Sequence, residues 1–323
     1  MALTFVLGGG GAMGAFQAGA LLELVYAGLI PTAMVGCSVG ALNAAFLAGD
    51  PSPSRARELI GFWRDSQTHA VLSPSPMARM KAFPGLLRSA DALLDRRPLQ
   101  AMLSRCVHAH DLSELAIPLT VTTTCLDCGA AVFHRSGPPG EVLMASCALP
   151  GLLPPVRLSD GHDHVDGGVV CGVPLAPALA ADADLILVLD AGLDPVTGVA
   201  GTCAALPDPR SACGLPVDSD LPYAAPAESA PTRVLDVVLR SFAVARAVAN
   251  RAAVADGLAD PRVRVLPHVA DAWAAGLLPR LPTGPRDFAK TDDLIDAGRA
   301  AATGWLAAGG LEARPTAQEW RGA

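Results

Sequence analysis

The sequence predicts an α/β domain organised around a mostly parallel sheet, and three observations carry that expectation. Strand, glycine turn and helix succeed one another twice within residues 1–50, the signature of a βαβ unit. Charged side chains are missing from residues 1–22 and again from 24–49, as expected of strands and helices buried in a parallel α/β core. At 323 residues the chain can bury a large core, and neither an internal repeat nor a linker divides it, so 1–323 reads as a single domain.

Leu3 to Leu7 is a short apolar run that reads as the first strand, and Gly8-Gly9-Gly10-Gly11 follows at once. Ala15 to Tyr26 has helical composition and is closed by Gly28 and Pro31. A second run, Ala33 to Val35, ends in Gly36-Cys37-Ser38-Val39-Gly40, and Ala41 to Leu47 forms the next helix, stopped by Gly49 and Pro51. Residues 52–110 read as largely helical and more polar, broken at Pro74, Pro76 and Pro84. Leu119 to Thr124 and Ala131 to His134 read as strands around a turn at Asp127 to Gly129. Leu185 to Leu189 is a buried strand. Arg262 to Leu266 alternates charged and apolar residues like a more exposed one, and Arg233 to Leu258 is a long helix. Residues 194–232 are rich in Pro, Ala, Ser and Asp without periodicity, which indicates a lid or a disordered loop. Their position after a sheet strand, at the edge where α/β folds bind ligands, favours a lid.

Composition narrows the function. A net charge of −7 without a long basic run speaks against a nucleic-acid partner, because phosphate backbones need clustered Lys and Arg. Hydrophobic residues make up 51% of the chain but aromatics only 4%, so much of the apolarity is alanine. Gly28, Pro31, Gly36 and Gly40 interrupt the uncharged stretch that would have to span a membrane, and no basic segment precedes a signal-like core. A cytoplasmic location is expected. Eight cysteines in this length do not form a disulfide scaffold. Cys125 and Cys128 have CxxC spacing, but no second pair follows and a strand precedes them, so they read as structural thiols.

Three pieces carry chemistry. Gly36-Cys37-Ser38-Val39-Gly40 has the G-x-S-x-G form of a nucleophile elbow, in which a serine sits on a sharp strand-to-helix turn between small residues. The helix after it aims its free N–H groups at the serine, which favours anionic intermediates. The glycine run after the first strand exposes unshielded backbone N–H groups that can hold an oxyanion. Gly9, Gly11 and Gly14 also satisfy G-x-G-x-x-G, but a dinucleotide site wants an acid at the end of the second strand, and none lies between Glu23 and Asp50. Asp166-Gly167-Gly168 is either a turn or a carboxylate poised against a serine.

Rival sets exist. His162, His164 and Asp166 would share one face of a strand and suit a metal, although the polar stretch 159–163 reads as a turn with exposed histidines. His162, His164 or His268 would complete a Ser-His-Asp triad. Asp190 ends a strand and reads as a turn residue before Gly192 and Pro195. Arg233, Arg240, Arg246 and Arg251 recur along the long helix, suited to anionic headgroups or simply to a solvated face.

Taken in order, the glycine run, the elbow, Ala145-Ser146-Cys147-Ala148-Leu149-Pro150-Gly151 with Pro154-Pro155-Val156, and Asp166-Gly167-Gly168 resemble the patatin-like phospholipases. Asp287-Phe288 through Leu294-Ile295-Asp296-Ala297-Gly298 is similar to the closing segment of bacterial members. The resemblance implies a three-layer α/β/α fold and a Ser–Asp dyad without a catalytic histidine. It makes Ser38 the nucleophile and Asp166 its base, with an oxyanion hole around Gly9, Gly10 and Gly11. It also implies a lipid or other acyl-ester substrate, transient contact with a membrane surface, and neither a cofactor nor a metal. Acyl transfer to an acceptor other than water, or a silent lipid-binding role, are the alternatives. Met13 stands where many members carry Arg or Lys, and Gly172 where they often place Asn.

Overall fold

The computed structural model describes residues 1–65, 68, 69, 71, 94–192, 234–279 and 288–313. The segment 194–232, expected to be a lid or a disordered loop, and most of 66–97 lie outside the described residues. Among the described residues eight strands form one sheet: β1 (Leu3–Leu7), β2 (Ala33–Cys37), β3 (Leu119–Cys125), β4 (Ala131–His134), β5 (Val156–Arg157), β6 (Asp163–Asp166), β7 (Leu185–Leu189) and β8 (Val263–Val265). Their order is β5-β6-β3-β2-β1-β7-β8, with β4 pairing β3. The block from β3 to β8 is parallel, and β4, β5 and β6 pair antiparallel.

Alternation along the strands builds two cores. Leu3, Phe5 and Leu7 of β1 and Leu185, Leu187 and Leu189 of β7 point into one cluster. There they meet α1 (Gly14–Tyr26), α2 (Val39–Ala48), α3 (Pro53–Arg64), α4 (Arg97–Cys106) and α5 (Pro139–Ser146). Val6, Ile186 and Val188 point the other way, onto α6 (Leu175–Leu179) and α7 (Val234–Gly257). Helices therefore cover both faces, and the architecture is three layers. The last helices, α8 (Val269–Ala274) and α9 (Thr291–Ala307), return to the first face. A Cβ on Gly19 would lie 2.2 Å from the Ile295 carbonyl oxygen and one on Gly298 2.0 Å from that of Phe16, so α1 and α9 cross backbone to backbone. Among the described residues no helix is long and apolar enough to cross a membrane.

The expectation for the last strand fails. The Arg262–Leu266 strand is not exposed, since Arg264 is 7% accessible and donates to the carbonyls of Leu311, Pro261 and Val263. These backbone oxygens, two from its own neighbourhood and one from the segment after α9, solvate the guanidinium, which is how a charged residue in an alternating pattern comes to face inward.

The sheet register brings two distant segments together. Parallel β2 places Cys37 opposite Thr122 of β3, and antiparallel β6 places Asp166 opposite Thr123. β4 holds the other edge of β3 from Val121 to Thr124. A strand has only two edges, so β2 and β6 share one and meet head to head. The residues leaving their C-terminal ends converge.

Candidate active site

Ser38 lies where β2 turns into α2. Its φ of 53° and ψ of −126° make it the one non-glycine residue with positive φ among those described. Such a conformation costs about 1–3 kcal/mol and persists only where the surroundings impose it. Here they do. A Cβ on Gly40 would sit 2.3 Å from the Leu7 carbonyl oxygen, so only glycine lets the helix start this close to β1. The Ser38 N–H donates to Ser146 Oγ at 2.8 Å, and that hydroxyl donates to the Thr122 carbonyl at 2.7 Å.

Ser38 Oγ donates to Asp166 Oδ2 at 2.6 Å. The other carboxylate oxygen accepts the Gly168 N–H at 2.7 Å. The Asp166 N–H donates to the Ala148 carbonyl, and Thr124 Oγ1 donates to the Asp166 carbonyl at 3.0 Å. Asp166 is 3% exposed, and burial raises its pKa; the hydrogen bonds from Ser38 and Gly168 and the Arg246 charge offset this only in part. A carboxylate shifted upward this way is a better proton acceptor than one in water. Burial and the Asp166 charge also push the neighbouring Cys37 and Cys147 thiols well up, so both stay protonated and do not compete as nucleophiles.

The glycine run passes beside the serine, with a Cβ on Gly9 reaching within 3.1 Å of Ser38 Cβ. The Gly8 N–H donates to the Leu189 carbonyl and the Gly9 N–H to that of Gly172. Gly9 thus fixes the loop, while the Gly10 and Gly11 amides have no hydrogen-bond acceptor among the described residues. From below, Gln17 Nε2 donates to the carbonyls of Gly8 and Leu189, and Gln17 Oε1 accepts from Asn43 Nδ2. Asn43 Nδ2 also reaches the Gly14 carbonyl, and its Oδ1 accepts from Trp63 Nε1. This chain is sealed from water, and Met13 fills the apolar core beside it, where a cation would be stranded.

The rival sets are not assembled as metal or triad sites. His164 is fully buried, correcting the expectation of an exposed turn residue; its Nδ1 shares a hydrogen bond with Thr123 and its Nε2 one with Asp160. His162 turns outward and pairs with Asp127 at 2.7 Å, so the two histidines and Asp166 do not converge. Cys125, Asp127 and His162 do come within metal-binding reach of one another, but the last two already satisfy each other. Cys125 and Cys128 are both free thiols. His268 caps α8 through Nδ1, accepting the Ala270 N–H. Asp190 accepts the Gly192 N–H at 2.8 Å, the turn role expected of it. Arg246 is 9% exposed, which rules out a solvated face at that position. The Arg233 and Arg240 side chains lie outside the described residues.

Sequence reasoning passed over Ser146, Gln17, Asn43 and Trp63. Ser146 lay in a quoted motif, but its partner is 108 positions away, and no local pattern announces a contact of that range.

A sequence model described as Patatin-like phospholipase matches residues 5–179. Patatin-like phospholipase domain-containing protein 7 of Mus musculus is 28% identical over 192 residues, 59% of this chain and 14% of that protein. An NTE family protein of Mycobacterium tuberculosis is 30% identical over 189 residues, 57% of this chain and 48% of that protein. The chain thus spans under half the length of both. Among solved structures, VipD from Legionella pneumophila aligns with a TM-score of 0.45 and 14% identity, covering 95% of this chain and 67% of that one. Human GIVD cytosolic phospholipase A2 aligns with a TM-score of 0.37 and 15% identity over 59% and 43%.

Proposed function

The chain belongs to the patatin-like phospholipase family, and from that premise we propose that it is a serine acyl hydrolase working through a Ser38–Asp166 dyad on carboxylic esters of lipids. The observation that carries this reading is the 2.6 Å hydrogen bond from a conformationally strained serine to a buried carboxylate. No imidazole stands between them.

In this mechanism Ser38 Oγ attacks the ester carbonyl carbon as its proton passes to Asp166 Oδ2. The carbonyl π pair becomes an oxyanion, held by the Gly10 and Gly11 amides and favoured by the N-terminus of α2. Collapse expels the alcohol, which leaves with the proton from Asp166. Water then attacks the acyl-enzyme with Asp166 again as base, releasing the carboxylic acid and restoring Ser38. An alcohol, amine or thiol in place of that water would make the same residues an acyltransferase. Exposed Val169 and Val170, directly after Gly168, put apolar surface at the rim of the site, which suits transient contact with a lipid surface.

The test is turnover of p-nitrophenyl acyl esters across pH. Wild-type kcat/KM is expected to rise with pH through one ionisation above the usual aspartate range, as Asp166 loses its proton. Ser38→Ala is expected to lower kcat at least about 1,000-fold. A variant that keeps most of its turnover would remove Ser38 from the chemistry.

A further inference from the structure

Neither the glycine loop (8–14) nor the elbow (36–40) carries a cation, yet a guanidinium reaches the dyad from α7. The stem of Arg246 lies over the Asp166-Gly167-Gly168 turn: a Cβ on Gly168 would be 3.1 Å from Arg246 Cδ, and one on Gly172 would be 3.0 Å from its Cγ. The guanidinium carbon is 5.9 Å from the Phe242 ring centroid. Among the described residues the guanidinium has neither a hydrogen-bond nor an ion-pair partner, although the residue is more than nine-tenths buried.

That arrangement is costly unless something completes it. A guanidinium offers five N–H donors in a planar fork, and burying such a group unpaired is strongly unfavourable. Asp166 is near enough to feel the charge, yet the two form no ion pair. Direct pairing would depress the carboxyl and weaken it as a base, so the fork is kept for a different anion. The same helix face presents a second unsatisfied group one turn on. Asn250 is 3% exposed, its Nδ2 lies 3.3 Å from both oxygens of Asp190, and its Oδ1 has no partner.

We propose that Arg246 forms the anion subsite of this enzyme, holding a phosphodiester group of the substrate beside the scissile ester and selecting phosphate-bearing over neutral acyl esters. The inference rests on the serine acyl hydrolase reading and adds to it a specificity-determining residue. Two parallel N–H donors of the fork match two phosphate oxygens, a geometry that lysine cannot reproduce.

The test uses the full chain and two esters of one acyl chain in neutral detergent micelles, a monoacylglycerol and the corresponding acyl glycerophosphoglycerol. Rates are taken on the alkaline plateau, so that any change in the Asp166 pKa does not enter. For Arg246→Gln the ratio of kcat/KM for the phosphate ester to that for the neutral ester is expected to fall about 10- to 100-fold, chiefly through KM. Arg246→Lys is expected to restore part of the ratio. An unchanged ratio, whether both rates fall together or neither falls, would overturn the proposal, as would a wild-type enzyme that turns over only the neutral ester. Wild-type protein that hydrolyses neither ester, while its Ser38 also fails to react with an active-site phosphonylating probe, would overturn the hydrolase reading and this inference with it.

Discussion

Burial raises the Asp166 pKa because the carboxylate loses water that the Ser38 hydroxyl and the Gly168 amide replace only in part. A carboxyl whose folded pKa exceeds its unfolded value contributes stability below the unfolded pKa, and that contribution is lost as pH rises through the folded pKa. At pH values above the ordinary aspartate range the buried Asp166 carboxyl therefore works against folding. Asp166→Asn is expected to raise the Tm at pH 7, to lose that advantage toward pH 3, and to abolish ester turnover. Thermal denaturation across this range checks it, and a lowered Tm at pH 7 would contradict it. Stability given up at the residue proposed as the base agrees with the general trade between function and stability at active sites. Ser38 was legible in the sequence because its elbow needs small residues at fixed offsets, and Gly36 and Gly40 supply them. Arg246 was legible only as a helical arginine, since its burial depends on the turn at Gly168 and the missing side chain at Gly172.

Strand ends create the site at the next scale up. β2 and β6 run toward each other along one edge of β3, and α5 closes the gap by presenting Ser146 to the Ser38 N–H. The Ser146 hydroxyl accepts from one strand end and donates to Thr122 of β3, so it ties the elbow to the sheet. Ser146→Ala is expected to cost about 1–3 kcal/mol of stability by leaving the Ser38 amide and the Thr122 carbonyl unpaired. It is also expected to lower kcat more than it raises KM, because the serine loses its fixed aim. Denaturant titration together with steady-state kinetics reads both; unaltered kcat would reduce Ser146 to a packing residue. Periodicity revealed β1, β2, β3, β4 and β7 within a residue or two. It left β6 ambiguous, because His162-Asp163-His164 looks like a polar turn until Thr123 and Asp160 are there to hold His164 inside.

At the scale of the whole molecule, three layers divide the work. The first face carries the buried relay from Trp63 through Asn43 and Gln17 to the glycine loop, and the second brings α7 over the dyad. The family match ends at residue 179, so the helix that delivers Arg246 and Asn250 lies beyond it. The α/β class was legible because buried parallel strands leave long uncharged runs, and the family resemblance carried by the motifs implied three layers. The path of α7 back over Asp166 was not, since it depends on packing between segments about 80 residues apart in the chain. The layers meet at the proposed dyad, Ser38 as nucleophile and Asp166 as its base. The most direct measurement is the intact mass and labelled peptide of the protein after exposure to a fluorophosphonate probe, with Ser38→Ala and Asp166→Asn alongside. One adduct on Ser38 is expected, absent in the first variant and formed far more slowly in the second. Unlabelled wild-type protein in the presence of lipid micelles, or an adduct on another residue, would contradict it.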